Sequence, residues 1–266
     1  MHHGDQEVVV TEVGGGLRSY TVAGRAVLDG YHAEEMCTAG RGQTLIPWPN
    51  RVDRGRYQFG GVEHQLSLTE PTAGNAIHGL TRWANWVPVS HNQRCVQLQY
   101  TLHAQPGWPF VLACELVYTL DDDGLAVQTS ATNVGKLVCP YATGAHPYLT
   151  VGTPLIDQAQ LWLPARIQCR NDARGIPVGR EPVPADLSGQ IGDRRIDTAF
   201  TDLVRDADGR VRIQLSTPDG PSVTLWADEA YRWVQIFTGD VVPEPERRRV
   251  GLAVEPMTAP PNALRT

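Results

Sequence analysis

The sequence has one lysine, Lys136, among 23 basic residues, and its formal net charge is −6. Nucleic acids and anionic membranes attract clustered positive charge, so this composition argues against both as partners. No apolar run is long enough to span a bilayer, and the longest, from 110 to 120, is interrupted by Glu115. The N-terminus also lacks the basic and apolar regions of a signal peptide, which favours a cytoplasmic protein.

Metal-binding and disulfide patterns are missing as well. The five cysteines are scattered singly, without a Cys-x-x-Cys or a Cys/His pair. We therefore expect no metal, no disulfide and no other cofactor. The glycine runs at 14–16 and 40–42 lack the strand and helix of a dinucleotide-binding loop, and no serine stands in a Gly-x-Ser-x-Gly elbow.

Helical periodicity is scarce, and apolar residues instead alternate at every second position, which is typical of half-buried strands. Hairpins are predicted with turns at 60–61, 121–124 and 218–221. The segment 170–195, rich in glycine, proline and charge, is predicted to be a surface connection. Many short strands favour one domain, residues 1–266, folded as a large all-β antiparallel sandwich, with a closed barrel as the alternative.

Two polar residues interrupt apolar runs in a way that suits proton transfer. His146 precedes Pro147, which holds it in extended geometry, and an ordinary histidine pKa lies near 6.5. Glu255 ends a predicted buried strand, where a carboxylate is costly unless it is hydrogen bonded or functional. Burial raises the pKa of a carboxyl group and makes it a stronger base. A structural role, in which backbone donors satisfy the carboxylate, is the alternative.

Four further polar residues stand where they could bind hydroxyl groups. Arg51 follows two prolines that stiffen the backbone, and His78 precedes a pair of tryptophans, Trp83 and Trp86, whose rings could stack on a sugar. Asp197 and Gln235 lie within apolar surroundings and could orient ligand hydroxyls. Taken singly, each also has a plain structural explanation: a surface arginine, a core histidine or an Asx turn.

Taken together, six motifs resemble those of the aldose 1-epimerase family, also called galactose mutarotases. In chain order they are Pro-x-x-Asn-Arg at 47–51, Asn-Ala-Ile-His-Gly at 75–79, Ala-His-Pro-Tyr at 145–148, Ile-Asp at 196–197, Val-Gln-Ile-Phe-Thr-Gly at 234–239 and Glu-Pro at 255–256. The resemblance covers nearly the whole chain. It implies a galactose mutarotase-like β-sandwich that binds a monosaccharide without a cofactor.

The resemblance also implies roles for the residues. His146 is expected to act as general acid and Glu255 as general base, while Arg51, His78, Asp197 and Gln235 hold sugar hydroxyls. The expected reaction interconverts the α and β anomers of a free aldohexose by opening and reclosing the ring. Both groups must reverse their roles, so pKa values near the working pH and a broad optimum around neutrality are expected.

Family members usually continue past the Pro-Pro-Asn segment at 260–262 into a further strand, whereas this sequence stops at Thr266. An unpaired sheet edge near Glu255 is the expected consequence. The sequence is equally compatible with a monomer and a homodimer.

Three other functions remain open. A hexose-6-phosphate 1-epimerase would share the fold and the acid/base pair, and Arg41, Arg54 and Arg82 could bind its phosphate. A sugar-binding or regulatory protein could keep the fold without catalysis. A glycosidase or lyase would need two opposed carboxylates, for which Asp197 and Glu255 are the available pair.

Overall fold

The computed structural model describes residues 1–265, and Thr266, the last residue of the predicted domain, lies outside this range. The strands are, in chain order, β1 (His2–His3), β2 (Gln6–Val10), β3 (Leu17–Val22), β4 (Arg25–Ala26), β5 (Thr44–Leu45), β6 (Arg51–Asp53), β7 (Arg56–Phe59), β8 (Val62–Gln65), β9 (Asn75–Ile77), β10 (Val87–His91), β11 (Cys95–Leu102), β12 (Leu112–Asp121), β13 (Gly124–Asn133), β14 (Gly144–Ala145), β15 (Tyr148–Leu149), β16 (Gln160–Trp162), β17 (Ala165–Asn171), β18 (Pro177–Pro182), β19 (Gly189–Gln190), β20 (Asp197–Leu203), β21 (Val211–Ser216), β22 (Ser222–Ala227), β23 (Trp233–Phe237) and β24 (Leu252–Met257).

Helix is confined, in the described chain, to the short 3-10 turns Ile156–Gln158, Pro245–Arg247 and Ala263–Arg265. Within residues 1–265 no helix is long and apolar enough to cross a membrane. The paired strands are antiparallel throughout this range, and the largest sheet has the order β18-β17-β20-β23-β24-β14-β5, with β15 also paired to β24. These observations confirm the predicted all-β antiparallel fold with little helix.

Three four-stranded sheets accompany the largest sheet, β1-β2-β3-β4, β10-β11-β12-β13 and β19-β16-β21-β22, together with the two-stranded ribbons β6–β9 and β7–β8. The three hairpins predicted from the sequence form as β7–β8, β12–β13 and β21–β22. The segment 170–195 is not merely a connection, because it contains β18 and β19, and β18 is the edge strand of the largest sheet. Its glycines and prolines concealed this strand, since alternation of apolar residues is weak on an exposed edge.

The largest sheet has two faces with different roles. Val254 of β24 and Ile236 of β23 point into an apolar core shared with β16, β21 and β22. Because side chains alternate along a strand, their neighbours Glu255 and Gln235 point to the opposite face. This opposite face carries the candidate site.

A second core lies beneath β10–β13 and is built around three tryptophans, Trp48, Trp86 and Trp108. Trp86 is fully buried there, so the interpretation of Trp86 as a sugar-stacking residue is wrong. Trp83, by contrast, has 54% of its surface exposed. The sequence does not distinguish the two tryptophans, because an aromatic residue suits a core as well as a binding cleft.

The strand that bears Glu255 is in the middle of the largest sheet. β24 pairs with β23 on one side and with β14 and β15 on the other. The expected unpaired edge beside Glu255 is therefore wrong for the described chain. The strands β14 and β15, which are distant from β24 in sequence, pair with the edge of β24 that was expected to be free.

Candidate active site

Glu255 and Gln235 lie side by side on the largest sheet. Gln235 of β23 is the direct register partner of Glu255 of β24. Both residues are buried. Asp197 begins β20, the next strand, and its carboxylate accepts a hydrogen bond from the Gln235 amide. Three predicted residues therefore form a row across adjacent strands.

His146 reaches this row from β14, which pairs with β24 through Gly144 and Met257. Its Nε2 lies 3.2 Å from Oε1 of Glu255. The imidazole is stacked on the ring of Tyr148, and a side chain at Gly40 would place its Cβ 2.8 Å from Cδ2 of His146. Packing from both sides fixes the ring beside the carboxylate.

Burial shifts the pKa values of this pair in opposite directions. It lowers the pKa of His146 to about 3, and the charges of Arg82 and Arg41 act in the same direction. Burial raises the pKa of Glu255 well above its ordinary value, with Asp197 adding to the effect and Arg51 opposing it. The low-dielectric surroundings disfavour charge on either group. Both shifts favour the uncharged forms, and therefore favour one proton held between Nε2 of His146 and Oε1 of Glu255, which lie 3.2 Å apart.

The ribbon of β6 and β9 supplies the other two predicted residues. Arg51 begins β6 and pairs in register with Ile77 at the end of β9, immediately before His78. Asn50 and His78 both adopt the left-handed region, with φ of 56° and 62°. They are joined by two contacts, from the His78 amide to the Asn50 carbonyl at 3.0 Å and from the Asn50 amide to Nδ1 of His78 at 3.2 Å. Strained backbone of this kind is characteristic of functional sites.

The contact from Asn50 determines the tautomer of His78. Because Nδ1 accepts a hydrogen bond, the neutral ring carries its proton on Nε2 and presents a donor there. Burial lowers the pKa of His78 well below its ordinary value, so the ring is neutral. His78 lies edge-on to His146, with ring centroids 5.1 Å apart. It is a hydrogen-bond donor next to the acid/base pair.

Arg51 is held by two carboxylates. Glu70 accepts a two-pronged contact, with Nε to Oε2 at 2.9 Å and Nη2 to Oε1 at 3.0 Å, and Asp197 lies 3.6 Å away. Asn75 donates to Glu70 at 2.9 Å and so orients it. Gly175 approaches so closely that an added Cβ would lie 2.5 Å from Nη1 of Arg51. The guanidinium is therefore fixed before any ligand binds.

Several buried polar atoms of this cluster have no hydrogen-bond partner within residues 1–265. They include Nδ1 of His146, Oε2 of Glu255 and Oε1 of Gln235. Buried polar atoms are nearly always satisfied in folded proteins, so a concentration of unsatisfied ones indicates a polar ligand. Hydroxyl groups can both donate to and accept from such atoms.

Three of these side chains could also hold a metal ion. The nearest ligand atoms of His78, His146 and Glu255 all lie within 4.8 Å of one another. Two imidazoles and a carboxylate are a ligand set that zinc accepts. The same spacing suits direct proton transfer between His146 and Glu255. The three side chains therefore fit either a metal site or a proton-transfer site, and an activity measurement after metal removal distinguishes the two.

The three arginines considered for phosphate binding differ in their surroundings. Arg41 is buried, pairs with Asp29 at 3.0 Å and lies over the Tyr148 ring, so its charge is already used. Arg54 is exposed. Arg82 is partly buried and has no carboxylate partner within the described chain, and its one side-chain hydrogen bond is to the Ile77 carbonyl at 3.5 Å.

The structure thus brings together all six residues predicted from the sequence. It adds Glu70, Asn50 and Tyr148, which hold Arg51, His78 and His146 in place. Asn50 stood inside the Pro-x-x-Asn-Arg motif, and Tyr148 stood inside Ala-His-Pro-Tyr. Glu70 carried no signal, because nothing in a loop sequence indicates a contact with an arginine 19 residues earlier.

Fold and site together define a class of protein. It is an antiparallel all-β protein in which a central strand carries a carboxylate in contact with an imidazole, surrounded by buried and fixed polar side chains. A carboxylate and an imidazole in contact can serve together as general base and general acid.

Comparison with known proteins agrees with this class. The model of the aldose 1-epimerase family matches residues 1–265. YihR of Escherichia coli K12 is 34% identical over 264 residues, which cover 98% of this chain and 83% of YihR. The chain belongs to the aldose 1-epimerase family.

Solved structures show the same fold. An aldose epimerase homologue from C. elegans superposes with a TM-score of 0.85 at 16% identity, covering 98% of this chain and 88% of that one. A galactose 1-epimerase from Lactobacillus acidophilus superposes with a TM-score of 0.77 at 18% identity, covering 100% and 86%.

Proposed function

We propose that this protein is an aldose 1-epimerase that interconverts the α and β anomers of an aldohexose. The observation that carries the proposal is the contact of 3.2 Å between His146 and Glu255, both of which are buried. The anomeric oxygen and the ring oxygen of a sugar are bonded to the same carbon. A pair of groups this close can therefore reach both oxygens at once.

The reaction follows from moving the shared proton. With the proton on His146, the Glu255 carboxylate removes the proton of the anomeric hydroxyl while His146 protonates the ring oxygen, and the C1–O5 bond breaks. Rotation about C1–C2 exposes the other face of the aldehyde. His146 then recovers the proton from the C5 hydroxyl, Glu255 returns its proton to the carbonyl oxygen, and the ring closes. No step requires a cofactor.

The remaining polar groups bind the sugar. Neutral His78 donates from Nε2, Asp197 accepts, and Gln235 and the fixed Arg51 orient hydroxyls on the Glu255 side of the site. Their positions on paired strands and on the β6–β9 ribbon make the site rigid before binding. Such preorganisation favours proton transfer, because the reacting groups need no rearrangement.

Two alternatives from the sequence are less well supported. A glycosidase needs two opposed carboxylates, but Asp197 is engaged by Gln235 and Arg51. A sugar-binding protein without activity would have no use for a buried acid/base pair, whose desolvation is costly.

Anomer exchange measured by NMR tests the proposal. Glucose, galactose and mannose, with their 6-phosphates, would be followed by magnetisation transfer between the two anomeric protons. We expect exchange above the buffer rate, in proportion to protein concentration, for at least one sugar. If every sugar exchanges at the buffer rate yet binds, the protein is a binding protein instead.

A further inference from the structure

Two arginines, Arg247 and Arg249, are partly buried in the connection between two strands of the candidate site. This β23–β24 loop, residues 238–251, joins the strand that carries Gln235 to the strand that carries Glu255. Arginines are mostly exposed in folded proteins and are rarely buried unless they are paired. Arg247 and Arg249 have only 23% and 14% of their side chains exposed, and each contacts two carboxylates. Their contacts extend in two directions from the loop.

Arg249 holds the segment of chain that leads into Asp197. Its guanidinium donates to the carbonyl oxygens of Gly192 at 2.6 Å and Arg194 at 3.1 Å. It also pairs with the carboxylate of Asp240 at 2.7 Å. The chain then continues into β20, whose first residue is Asp197. Arg249 therefore fixes the approach to this strand.

Thr238 extends the contact to the residue before Asp197. It is fully buried, and its hydroxyl donates to the Asp240 carboxylate. The hydroxyl oxygen also accepts from the Ile196 amide at 2.9 Å, and the Thr238 amide donates to the Ile196 carbonyl at 2.9 Å. Because Ile196 directly precedes Asp197, this path from Arg249 fixes the backbone that carries the Asp197 carboxylate.

Arg247 reaches the imidazole of the site through Asp29. Its Nη2 lies 2.6 Å from Oδ1 of Asp29, and Arg41 contacts the second oxygen, Oδ2, at 3.0 Å. The Arg41 guanidinium lies 4.4 Å from the centroid of the Tyr148 ring, and that ring is stacked on His146. Because one carboxylate binds both guanidiniums, loss of Arg247 leaves Asp29 and Arg41 less constrained.

The two paths end at residues with different roles in the proposed mechanism. His146 transfers a proton to the ring oxygen, whereas Asp197 accepts hydrogen bonds from sugar hydroxyls. Loss of an interaction that is equally strong in the bound substrate and the transition state raises KM without changing kcat. Loss of an interaction made only in the transition state lowers kcat. The two arginines should therefore affect different kinetic constants.

We propose that Arg247 and Arg249 are positioning residues for opposite sides of the site, Arg247 for the general acid His146 and Arg249 for the sugar-binding residue Asp197. The inference rests on the proposed function and deepens it. Each arginine acts through the side chains that it holds and not through contact with the sugar. One loop between the strands of Gln235 and Glu255 thus braces both sides of the site.

The kinetics of anomer exchange for Arg247→Gln and Arg249→Gln provide the test, with the best sugar found. We expect Arg249→Gln to raise KM about 10-fold or more, the lower end of the range for weakening a hydrogen bond to a charged group, with kcat nearly unchanged. Arg247→Gln should instead lower kcat about 10-fold or more, because small displacements of a proton-transfer group are costly, with KM nearly unchanged.

Arg248→Gln is the matched control. Arg248 stands between the two arginines and is exposed, and its one side-chain hydrogen bond within the described chain is to the Val242 carbonyl at 3.1 Å. Its loss should leave both constants unchanged. If Arg247→Gln and Arg249→Gln change KM and kcat alike, or if neither differs from Arg248→Gln, the inference is overturned while the proposed function stands.

Further variants cover the case in which loss of either arginine prevents folding. Thr238→Val keeps the shape of the side chain and removes its hydroxyl, so KM should rise, and Thr238→Ser should restore it. Asp29→Asn weakens the contact of both guanidiniums, so kcat should fall. A folded Thr238→Val with unchanged KM, or a folded Asp29→Asn with unchanged kcat, overturns the corresponding path.

Amide hydrogen exchange followed by mass spectrometry resolves the case in which no sugar is turned over. Relative to Arg248→Gln, exchange should be faster at 192–197 in Arg249→Gln, and at 28–30 and 40–43 in Arg247→Gln. This pattern supports the two positioning roles even though the epimerase proposal fails. Faster exchange at the same segments in both variants, or at none of them, overturns these roles.

Discussion

Burial opposes charge on both His146 and Glu255, and it therefore favours one proton held between the two groups. The sequence suggested groups with pKa values near neutrality, but the structure moves the two values apart, lowering that of His146 and raising that of Glu255. The contact between His146 and Glu255 allows the general acid and the general base to exchange roles, because the proton can occupy either side chain. Neighbouring strands cause this burial, which a linear motif cannot indicate.

The pH dependence of the rate should reflect the pair as a unit. Activity requires one proton on the pair. That state is lost in acid, where His146 gains a second proton near its pKa of about 3, and at higher pH, where Glu255 ionises well above its ordinary pKa. We expect kcat/KM, corrected for buffer mutarotation, to be level through mildly acidic and neutral pH. An inflection near the ordinary histidine pKa of about 6.5 would contradict a shared proton.

Stability should depend on pH in a way that identifies the same proton. Between pH 4.5 and 6.5, the ordinary values of the two groups, the unfolded chain holds one proton on His146 and the folded pair also holds one. Above 6.5 the unfolded groups hold none, so stability falls as pH rises. Below 4.5 they hold two, so stability falls as pH decreases.

Urea unfolding across this range measures the effect. The free energy of unfolding of the unmodified protein, minus that of the double variant His146→Gln/Glu255→Gln, should be level from 4.5 to 6.5. It should decline on both sides by up to about 1.4 kcal/mol per pH unit. A difference that instead stays level above pH 6.5 would show that Glu255 is already ionised in the folded protein.

At the scale of elements, the site depends on strands and loops brought together from distant parts of the chain. Alternation predicted β7–β8, β12–β13 and β21–β22, because hairpins are local in sequence. The pairing of β24 with β14 was beyond prediction, because strands of two residues have no periodicity. The loop before β18 was assigned to the surface, yet its Gly175 packs on Arg51.

Gly175→Ala tests whether this loop positions Arg51. Gly175 has φ of +74°, and the new Cβ would overlap the guanidinium. We expect a stability loss of about 1 to 3 kcal/mol from backbone strain. We also expect a raised KM in anomer exchange, because Arg51 is displaced, with a smaller change in kcat.

Gly209→Ala is the control. Its φ of +78° imposes similar strain, but an added Cβ meets nothing within 4 Å. It should lose stability without a change in KM. If both variants have the same KM, the contact between Gly175 and Arg51 does not position the sugar.

At the scale of the whole molecule, the candidate site lies between the largest sheet, which carries Glu255, Gln235 and Asp197, and the β6–β9 ribbon, which positions Arg51 and His78. Composition and alternation were sufficient to predict the all-β class. They could not predict the sheet order or the central place of β24, which arise from pairings across the chain. The six site residues were predicted in part because their motifs kept a recognisable order.

The proposed reaction needs only proton transfer, so the intact protein should remain active after any bound metal ion is removed. We expect full anomer exchange after dialysis against EDTA, with the residual metal content checked by mass spectrometry. The cluster of His78, His146 and Glu255 makes this a real test. Loss of activity that zinc restores would assign these side chains to a metal instead.

The acid/base role of the His146–Glu255 pair is tested most directly by the anomer exchange rate of Glu255→Gln beside that of the unmodified protein, using the best substrate found. The substitution keeps the shape of the side chain and removes the base. We predict a loss of about 100- to 10,000-fold in rate, the usual contribution of a positioned proton-transfer group, with the fold retained by circular dichroism. A folded Glu255→Gln variant that exchanges anomers as fast as the unmodified protein would contradict the account.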